Sequence, residues 1–438
     1  MRTQSSQPSY LPWRARRHHL LHLKIEWTSS CLLAASLVLW VLVALQFAHQ
    51  AQTGLPLDFQ VYRDAAANML HGGATYRAHF TFVHLNFTYP PFALLLFSVL
   101  TVLPPLVVLA IWWLLSSAAL VCFVILALNS LTELPRRIVV PASLALVGAS
   151  CLLLEPVRSS IDFGQINFFL MFAILMDVLG LRPSSRGLLT GLAAAIKLTP
   201  LMYVTYFAVI RSRASMLRTF GAFVVATIVA WLVLPFDSVL FWFHQAFSPG
   251  HKGGAMGTAN QSWFGLVGHF SSTLGSSTTV IWLALSVVTF LLGFYLAKRY
   301  VATDRPIEAL LALVLTELLV SPVSWTHHWS WIILLPVILI AKWRQDQWVS
   351  GAMLLLLLVA AAAPYKGHRY NWYNHGLLPT VAGFSLLLAG VVLMIAMAGT
   401  EWQRCRREER SASLDHKRIP GNVTSLVEPS GFSEPPPS

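Results

Sequence analysis

Charge is what this chain has least of. Only 11% of its 438 residues are Asp, Glu, Lys or Arg, where a soluble globular chain carries about a quarter. With 56% hydrophobic residues, a water-soluble fold is excluded, because no soluble core needs that much apolar surface. Cysteine is sparse as well. Cys31, Cys122, Cys151 and Cys405 fall in three apolar blocks and a polar tail, without CxxC or CxH spacing, so neither a disulfide framework nor a zinc site is expected. No glycine-rich phosphate loop occurs, which leaves a soluble nucleotide pocket without its usual cradle. No repeat of fixed period occurs either, so a solenoid or an inverted-repeat transporter gets no support. The net charge of +12 suggests nucleic acid at first sight. The Lys and Arg residues, however, sit in short clusters between apolar blocks, which is a topology signal and excludes a nucleic-acid partner.

What is present is apolar blocks of about 15 to 24 residues along nearly the whole chain, the length that a hydrocarbon layer of about 30 Å demands of a helix. The fold class is all-α, a polytopic membrane protein of about twelve transmembrane helices with outward-facing loops. Residues 1–27 form a basic cytoplasmic N-terminus with Arg14, Arg16, Arg17 and Lys24. The run from Cys31 to Phe47 is longer than a signal-peptide core and reads as a retained first span. Further basic clusters at Arg136 and Arg137, Arg182 and Arg186, Arg211 to Arg218, Lys298 to Arg305, Lys342 to Arg344 and Arg404 to Arg410 all belong inside. Threading the blocks between them gives spans near 28 to 49, 105 to 128, 138 to 154, 166 to 181, 216 to 235, 278 to 297, 307 to 320, 327 to 341, 348 to 363 and 377 to 398. Together, 28–398 make the membrane domain. The tail at 399–438, rich in Arg, Glu, Ser and Pro, is expected to be disordered and cytoplasmic.

Two blocks strain the count. Pro91 to Leu103 is too short to cross and ends in Pro104 and Pro105, so it reads as a half helix. Gly187 to Ile210 lies between two basic clusters and needs an even number of crossings, which a break at Lys197-Leu198-Thr199-Pro200 would supply. The longer loops, 50 to 90, 155 to 165, 236 to 277, 321 to 326 and 364 to 376, then face outward. Asp58, Asp64, Glu155, Asp162, Asp237, Gln261, His327 and His328 gather at that edge.

The first outer loop reads as an interfacial helix with apolar residues at three-to-four spacing. Asp58 falls at its N-cap, where it either caps the helix or holds a carboxylate at the bilayer surface. Tyr62 lies one turn on. Tyr89, before Pro90-Pro91-Phe92, suits an aromatic belt or a headgroup contact. In Asp162-Phe163-Gly164-Gln165-Ile166-Asn167, Gly allows a tight turn. Gln165 and Asn167 either cap the next span or bridge sugar hydroxyls as donor and acceptor at once. Lys197 is an ammonium inside an apolar block, which costs roughly 2.5 to 3.5 kcal/mol at mid-membrane; it either snorkels inward or lies in a polar cavity beside a lipid phosphate. Asn260, Gln261 and Ser262 lie in the largest outer loop, and Asn260-x-Ser262 also fits a glycosylation pattern that is common by chance. His327 and His328, amid three tryptophans, fit an interfacial belt or an imidazole pair near a phosphorylated headgroup. As metal ligands they are poor, since adjacent helical residues point about 100° apart.

Taken in order, Asp58 with Tyr62, Gly72 to Tyr76, Tyr89-Pro90-Pro91-Phe92, Gly164-Gln165-Ile166-Asn167, Lys197-Leu198-Thr199-Pro200, Asn260-Gln261-Ser262 and Ser321-Pro322-Val323-Ser324-Trp325-Thr326-His327-His328 resemble glycosyltransferase family 87. The resemblance spans about residues 28 to 398. It implies a C-type, multi-span glycosyltransferase that takes mannose from polyprenyl-phosphate-mannose and adds it in α-(1→2) linkage to a mannolipid or lipoglycan acceptor, such as a phosphatidylinositol mannoside or lipoarabinomannan. It also implies an active site outside the plasma membrane and a catalytic aspartate, matched here by Asp58. A single carboxylate then acts as general base in an inverting transfer. Lys197, His327 and His328 are candidates for stabilising the departing phosphate, with Gln165, Asn167, Tyr62 and Tyr89 about the donor and Asn260, Gln261 and Ser262 in an acceptor loop. No cofactor and no metal is implied, and no paired-aspartate metal motif occurs. A transferase of arabinose or another pentose on the same fold stays open. A lipid or solute transporter is the second class, but it predicts functional charge at the midplane rather than in outer loops.

Overall fold

The computed structural model describes residues 13–180, 182–246, 257–343, 345–362 and 377–418. The outer loop at 364 to 376, Arg344 and the end of the tail lie outside those residues. The chain begins with α1 (Trp13–Thr53), which contains the first apolar block. Gly54 turns the chain with φ +122°, and Pro56 at the N-cap starts α2 (Leu57–Leu70). Asp58 is therefore not the cap. It occupies the first turn of α2 without capping a backbone N–H, because the rigid φ of Pro56 fixes the helix start two residues earlier.

A short antiparallel hairpin, β1 (His79–Phe80) and β2 (Leu85–Asn86), pairs His79 with Asn86 and Phe80 with Leu85. Then come α3 (Pro91–Phe97) and α4 (Pro105–Leu131), each opened by a proline whose missing N–H would be unpaired there in any case. The expected half helix at 91 to 103 is thus α3 and a following 3-10 turn. Next are α5 (Arg136–Leu153), α6 (Glu155–Asp162) and α7 (Asn167–Leu179). The block from 187 to 210 breaks at Lys197, into α8 (Leu188–Ile196), a 3-10 turn over Thr199–Tyr203 and α9 (Val204–Val209).

The second half holds α10 (Arg213–Val233), α11 (Pro235–Leu240), α12 (Trp263–His269), α13 (Ser271–Leu274), α14 (Ser277–Ala302) and α15 (Pro306–Val320). A 3-10 helix over Thr326–Ile333 leads into α16 (Leu334–Lys342), followed by α17 (Gln347–Ala362), α18 (Leu377–Gly383) and α19 (Ser385–Arg418). The tail boundary falls later than composition suggested. α19 continues past 399 to Arg418, with Arg404 bonded to the buried Glu401 and Glu408 bonded to Arg299 of the neighbouring α14, so this polar stretch is helical as far as it is described.

Among the described residues, six helices are long and apolar enough to cross a membrane: α1 from Ile25, α4, α5, α10, α14 and α19. α6 and α7, bent by 119°, make a seventh if taken as one span. The chain is a multi-pass, mostly helical membrane protein. Of the other expected spans, 307 to 320 and 348 to 363 are single shorter helices, α15 and α17, while 327 to 341 is divided between a 3-10 helix and α16. Leu37 and Val38 on α1, Leu217 and Leu232 on α10, and Val280 and Val288 on α14 are exposed, as side chains that face hydrocarbon are. The core forms around α15, where every residue from Ile307 to Leu319 is buried except Glu317. At the end of α15 marked by basic clusters, Arg305 bonds Glu308 at 3.0 Å and Glu401 at 2.9 Å, Arg404 bonds Glu401 at 3.1 Å, and Lys342 also reaches Glu308. Two buried carboxylates thus tie α15, α16 and α19 together.

Candidate active site

The site is organised by the turn between α6 and α7. Gly164 adopts φ +69°, and a Cβ there would lie 2.6 Å from Phe59 Cβ, so only glycine lets α2 approach. The carbonyl of Phe163 accepts from the backbone N–H groups of Asp58 (3.0 Å) and Phe59 (3.1 Å). These are donors that the first turn of α2 cannot satisfy itself. The carbonyl of Gly164 accepts from Trp112 Nε1 of α4 at 3.0 Å. The turn that carries Gln165 is thereby locked against the turn that carries Asp58.

The next shell of contacts follows. Gln165 Nε2 donates to Asp58 Oδ2 and lies 3.2 Å from His327 Nε2. In that arrangement the imidazole nitrogen accepts. The carbonyl oxygen of Gln165 accepts from Tyr62 at 3.3 Å and Tyr89 at 3.2 Å, and the two hydroxyls are 2.7 Å apart. Burial pushes the Asp58 carboxyl up from 3.8 to about 6, while the Gln165 hydrogen bond and the Lys197 charge pull in the other direction. Burial likewise raises Tyr62 and Tyr89, so both stay phenols. The carboxylate is half-buried and held by a neutral amide.

Lys197 does not snorkel. Its Nζ donates to Asn167 Oδ1 at 3.0 Å and stands 5.9 Å from the centre of the Tyr89 ring. Asn167 Nδ2 donates in turn to the His327 carbonyl at 3.1 Å, which also accepts from Ser160 at 2.8 Å. His328 points elsewhere and lines a cavity with Lys197 and Asn167. The two imidazoles meet edge to face, with ring centres 4.8 Å apart and planes at 83°. Among the described residues no group of three or more His, Cys, Asp and Glu is placed to hold a metal ion.

Asn260, Gln261 and Ser262 work as a clasp. Asn260 is fully buried, its amide donates to the Pro322 carbonyl (2.9 Å) and its oxygen accepts from Ser324 N (2.7 Å). Gln261 N donates to the Ser324 carbonyl at 2.7 Å, its side chain binds Gly383 and Leu387, and Ser262 caps α12. These atoms are spent inside the protein, which also leaves the Asn260 amide no room for a glycan. The clasp holds the 321–325 segment from which His327 departs.

Three polar groups here were not singled out from sequence. Ser160 is one; Glu317 and Tyr203 are the others, with Tyr203 donating to Glu317 Oε2 at 3.2 Å. Glu317 was legible by the argument applied to Lys197, as a charge within an apolar block.

The described residues of this multi-pass membrane protein thus join an amide-held carboxylate, Asp58, to a half-buried ammonium, Lys197, through Gln165, His327 and Asn167. The family model for glycosyltransferase family 87 matches residues 87–322, starting after Asp58 and stopping before His327. The chain is 30% identical over 349 residues to a polyprenol-phosphate-mannose-dependent alpha-(1-2)-phosphatidylinositol mannoside mannosyltransferase of Mycobacterium tuberculosis, covering 73% of this chain and 79% of the relative. It is 33% identical to the protein of the same name from Mycolicibacterium smegmatis, covering 75% and 79%. To a pentamannoside mannosyltransferase of the same donor dependence from Mycobacterium tuberculosis it is 32% identical, covering 75% and 77%. No solved structure matches it. The chain belongs to glycosyltransferase family 87 and is a glycosyltransferase.

Proposed function

We propose that this enzyme transfers mannose from polyprenyl-phosphate-mannose to a phosphatidylinositol mannoside or related lipoglycan, forming an α-(1→2) linkage at the outer face of the plasma membrane. The donor and acceptor classes follow from the relatives' names. The observation that carries the chemistry is the Gln165 bond to Asp58, with Lys197 joined to the same group through Asn167 and His327.

In this reading Asp58 takes the proton from the acceptor hydroxyl as its oxygen bonds to the anomeric carbon. The bond from that carbon to the phosphate oxygen breaks, and the electron pair leaves with polyprenyl phosphate. A β-linked donor gives an α-linked product because attack comes opposite the leaving group. A base of pKa about 6 is ionised at neutral pH yet basic enough to accept the proton. Lys197 balances the charge that grows on the phosphate. Both lipid substrates remain at the interface, which matches a site set beside the interfacial α2 rather than in a soluble domain. The reading includes a C-type fold of about twelve crossings, in which the shorter and interrupted helices would add to the six long ones.

The test is an assay of membranes containing the full chain, with radiolabelled polyprenyl-phosphate-mannose and the corresponding arabinose donor in parallel. Mannolipid product from the first alone is expected. Product from the arabinose donor alone would replace mannose with a pentose and overturn the proposal.

A further inference from the structure

α10 ends at Val233, where Leu234 takes up a non-helical conformation (φ −129°, ψ 60°) and Pro235 has no N–H with which to continue the ladder. The chain does not leave for water there. α11 and a π turn over Phe241–Gln245 fold back beside α10, so that the rings of Phe243 and Trp231 are 6.3 Å apart and those of Trp242 and Phe223 are 6.1 Å apart. Trp231 and Phe223 lie two and ten residues before Val233, or about 3 and 15 Å back along the axis at about 1.5 Å per residue. The stretch from 235 to 245 thus returns alongside a helix long and apolar enough to cross a membrane.

Its two faces differ. Asp237, Ser238 and Phe241 are buried, whereas Phe236, Val239 and Phe243, three to four residues apart and so on one face, are exposed. Phe243 keeps 73% of its surface open despite its contact with Trp231. The open face continues the exposed Leu232 and Val233 of α10. At its other edge the exposed Arg77 stands 5.3 Å from the centre of the Phe236 ring. An apolar stripe bordered by a cation is the pattern of a segment lying at the boundary of headgroups and acyl chains.

We infer that residues 235–245 form a re-entrant strap whose Phe236, Val239 and Phe243 are embedded in the lipid leaflet that borders the Asp58 site. The inference does not use the mannosyl-transfer reading and is tested apart from it. The buried face of the strap is tied to the site. Asp237 Oδ1 accepts from the backbone N–H of Thr75 at 3.2 Å, Phe241 packs on Tyr76 with ring centres 5.5 Å apart, and the Tyr76 hydroxyl donates to the Tyr89 carbonyl at 2.7 Å. Tyr89 in turn bonds the Gln165 side chain that holds Asp58. Lipid that grips the strap therefore sets the height of Asp58 against the bilayer surface.

The experiment measures depth. The full chain, with its four cysteines replaced by alanine, is reconstituted in phosphatidylcholine nanodiscs with a single nitrobenzoxadiazole label at Phe243→Cys, at Val239→Cys or, as the lipid-facing reference on α10, at Leu232→Cys. Each label is quenched by a phosphatidylcholine carrying a nitroxide high on its acyl chain and, separately, by iodide in the water. At both strap positions the nitroxide lipid is expected to quench at least about half as strongly as at the reference, and iodide about threefold less than it quenches free dye, as for side chains held about 5 to 10 Å below the surface. If Phe243→Cys does not accumulate, Val239→Cys reads the same face. Quenching by iodide in place of the nitroxide lipid would put the strap in water and overturn the inference. Protection from both quenchers would show another part of the protein or a second copy covering this face, and would overturn it equally.

Discussion

The side-chain amide of Gln165 donates to the carboxylate of Asp58 across the junction of two helices that are far apart in sequence. The backbone enforces this meeting, because the neighbouring carbonyl of Phe163 receives both first-turn N–H groups of α2. A loose loop would leave the base to drift. Here it is fixed before any substrate binds, which is the condition for positioning to lower a barrier.

Burial raises the Asp58 carboxyl and that bond opposes the rise. On the proposed mechanism Asp58 must be ionised to act, and its carboxyl stands at about 6, so kcat/KM should rise with pH through that value and level off above it. The Gln165 hydrogen bond favours the ionised form. Gln165→Leu removes it, and the acid limb should move to higher pH. A pH profile of mannosyl transfer for both proteins checks this; an unmoved limb would detach Gln165 from the base.

Lys197 is predicted to act on the departing phosphate. Lys197→Met should lower kcat by about 10² to 10³-fold, the scale of removing one stabiliser of transition-state charge. Lys197→Arg should recover part of it, because the charge returns without the geometry. Steady-state kinetics with the mannose donor distinguishes these outcomes from a simple loss of protein.

Gly164→Ala should be costly out of proportion to one methyl. The residue would be held at φ +69° with its Cβ pressed on Phe59. Strain of this kind costs about 1 to 3 kcal/mol, and separating α2 from the turn would also break the Asp58 to Gln165 bond. Thermal unfolding in detergent should show the lower stability, and activity should fall further than stability explains.

Asn260→Ala leaves Ser324 N and the Pro322 carbonyl without their partners. Each unsatisfied buried group costs about 1 to 3 kcal/mol. The expected result is a less stable protein with a loosened His327 and nearly unchanged affinity for acceptor, measured by thermal unfolding and by KM. A large rise in acceptor KM at unchanged stability would return Asn260 to substrate contact.

Much of this was legible in the sequence because lipid is a severe solvent. Apolar block length and basic clusters marked the apolar part of α1 and the helices α4, α5, α10 and α14 within about five residues, and the Lys197 and Pro200 pattern marked the break in the 187 to 210 block. What was not legible was side-chain direction. Nothing in the spacing said that Pro56 would take the cap and free Asp58, or that Asn260 would turn inward to hold Pro322 and Ser324. The adjacent histidines touch edge to face yet have different surroundings, visible only in three dimensions. His327 is buried against Phe163 and Gln165, whereas His328 faces the Lys197 cavity. Glu317, next to Thr316 in an otherwise apolar stretch of α15, carried the same signal as Lys197.

The central claim concerns one oxygen atom pair, that of Asp58. The decisive comparison is mannosyl transfer from polyprenyl-phosphate-mannose by membranes carrying wild type or Asp58→Asn at matched protein levels. The account predicts a fall of about 10² to 10⁴-fold in rate with thermal stability kept, since an amide can occupy the same place beside Gln165. Transfer by Asp58→Asn within about threefold of wild type would contradict it, because general-base catalysis normally supplies far more than that.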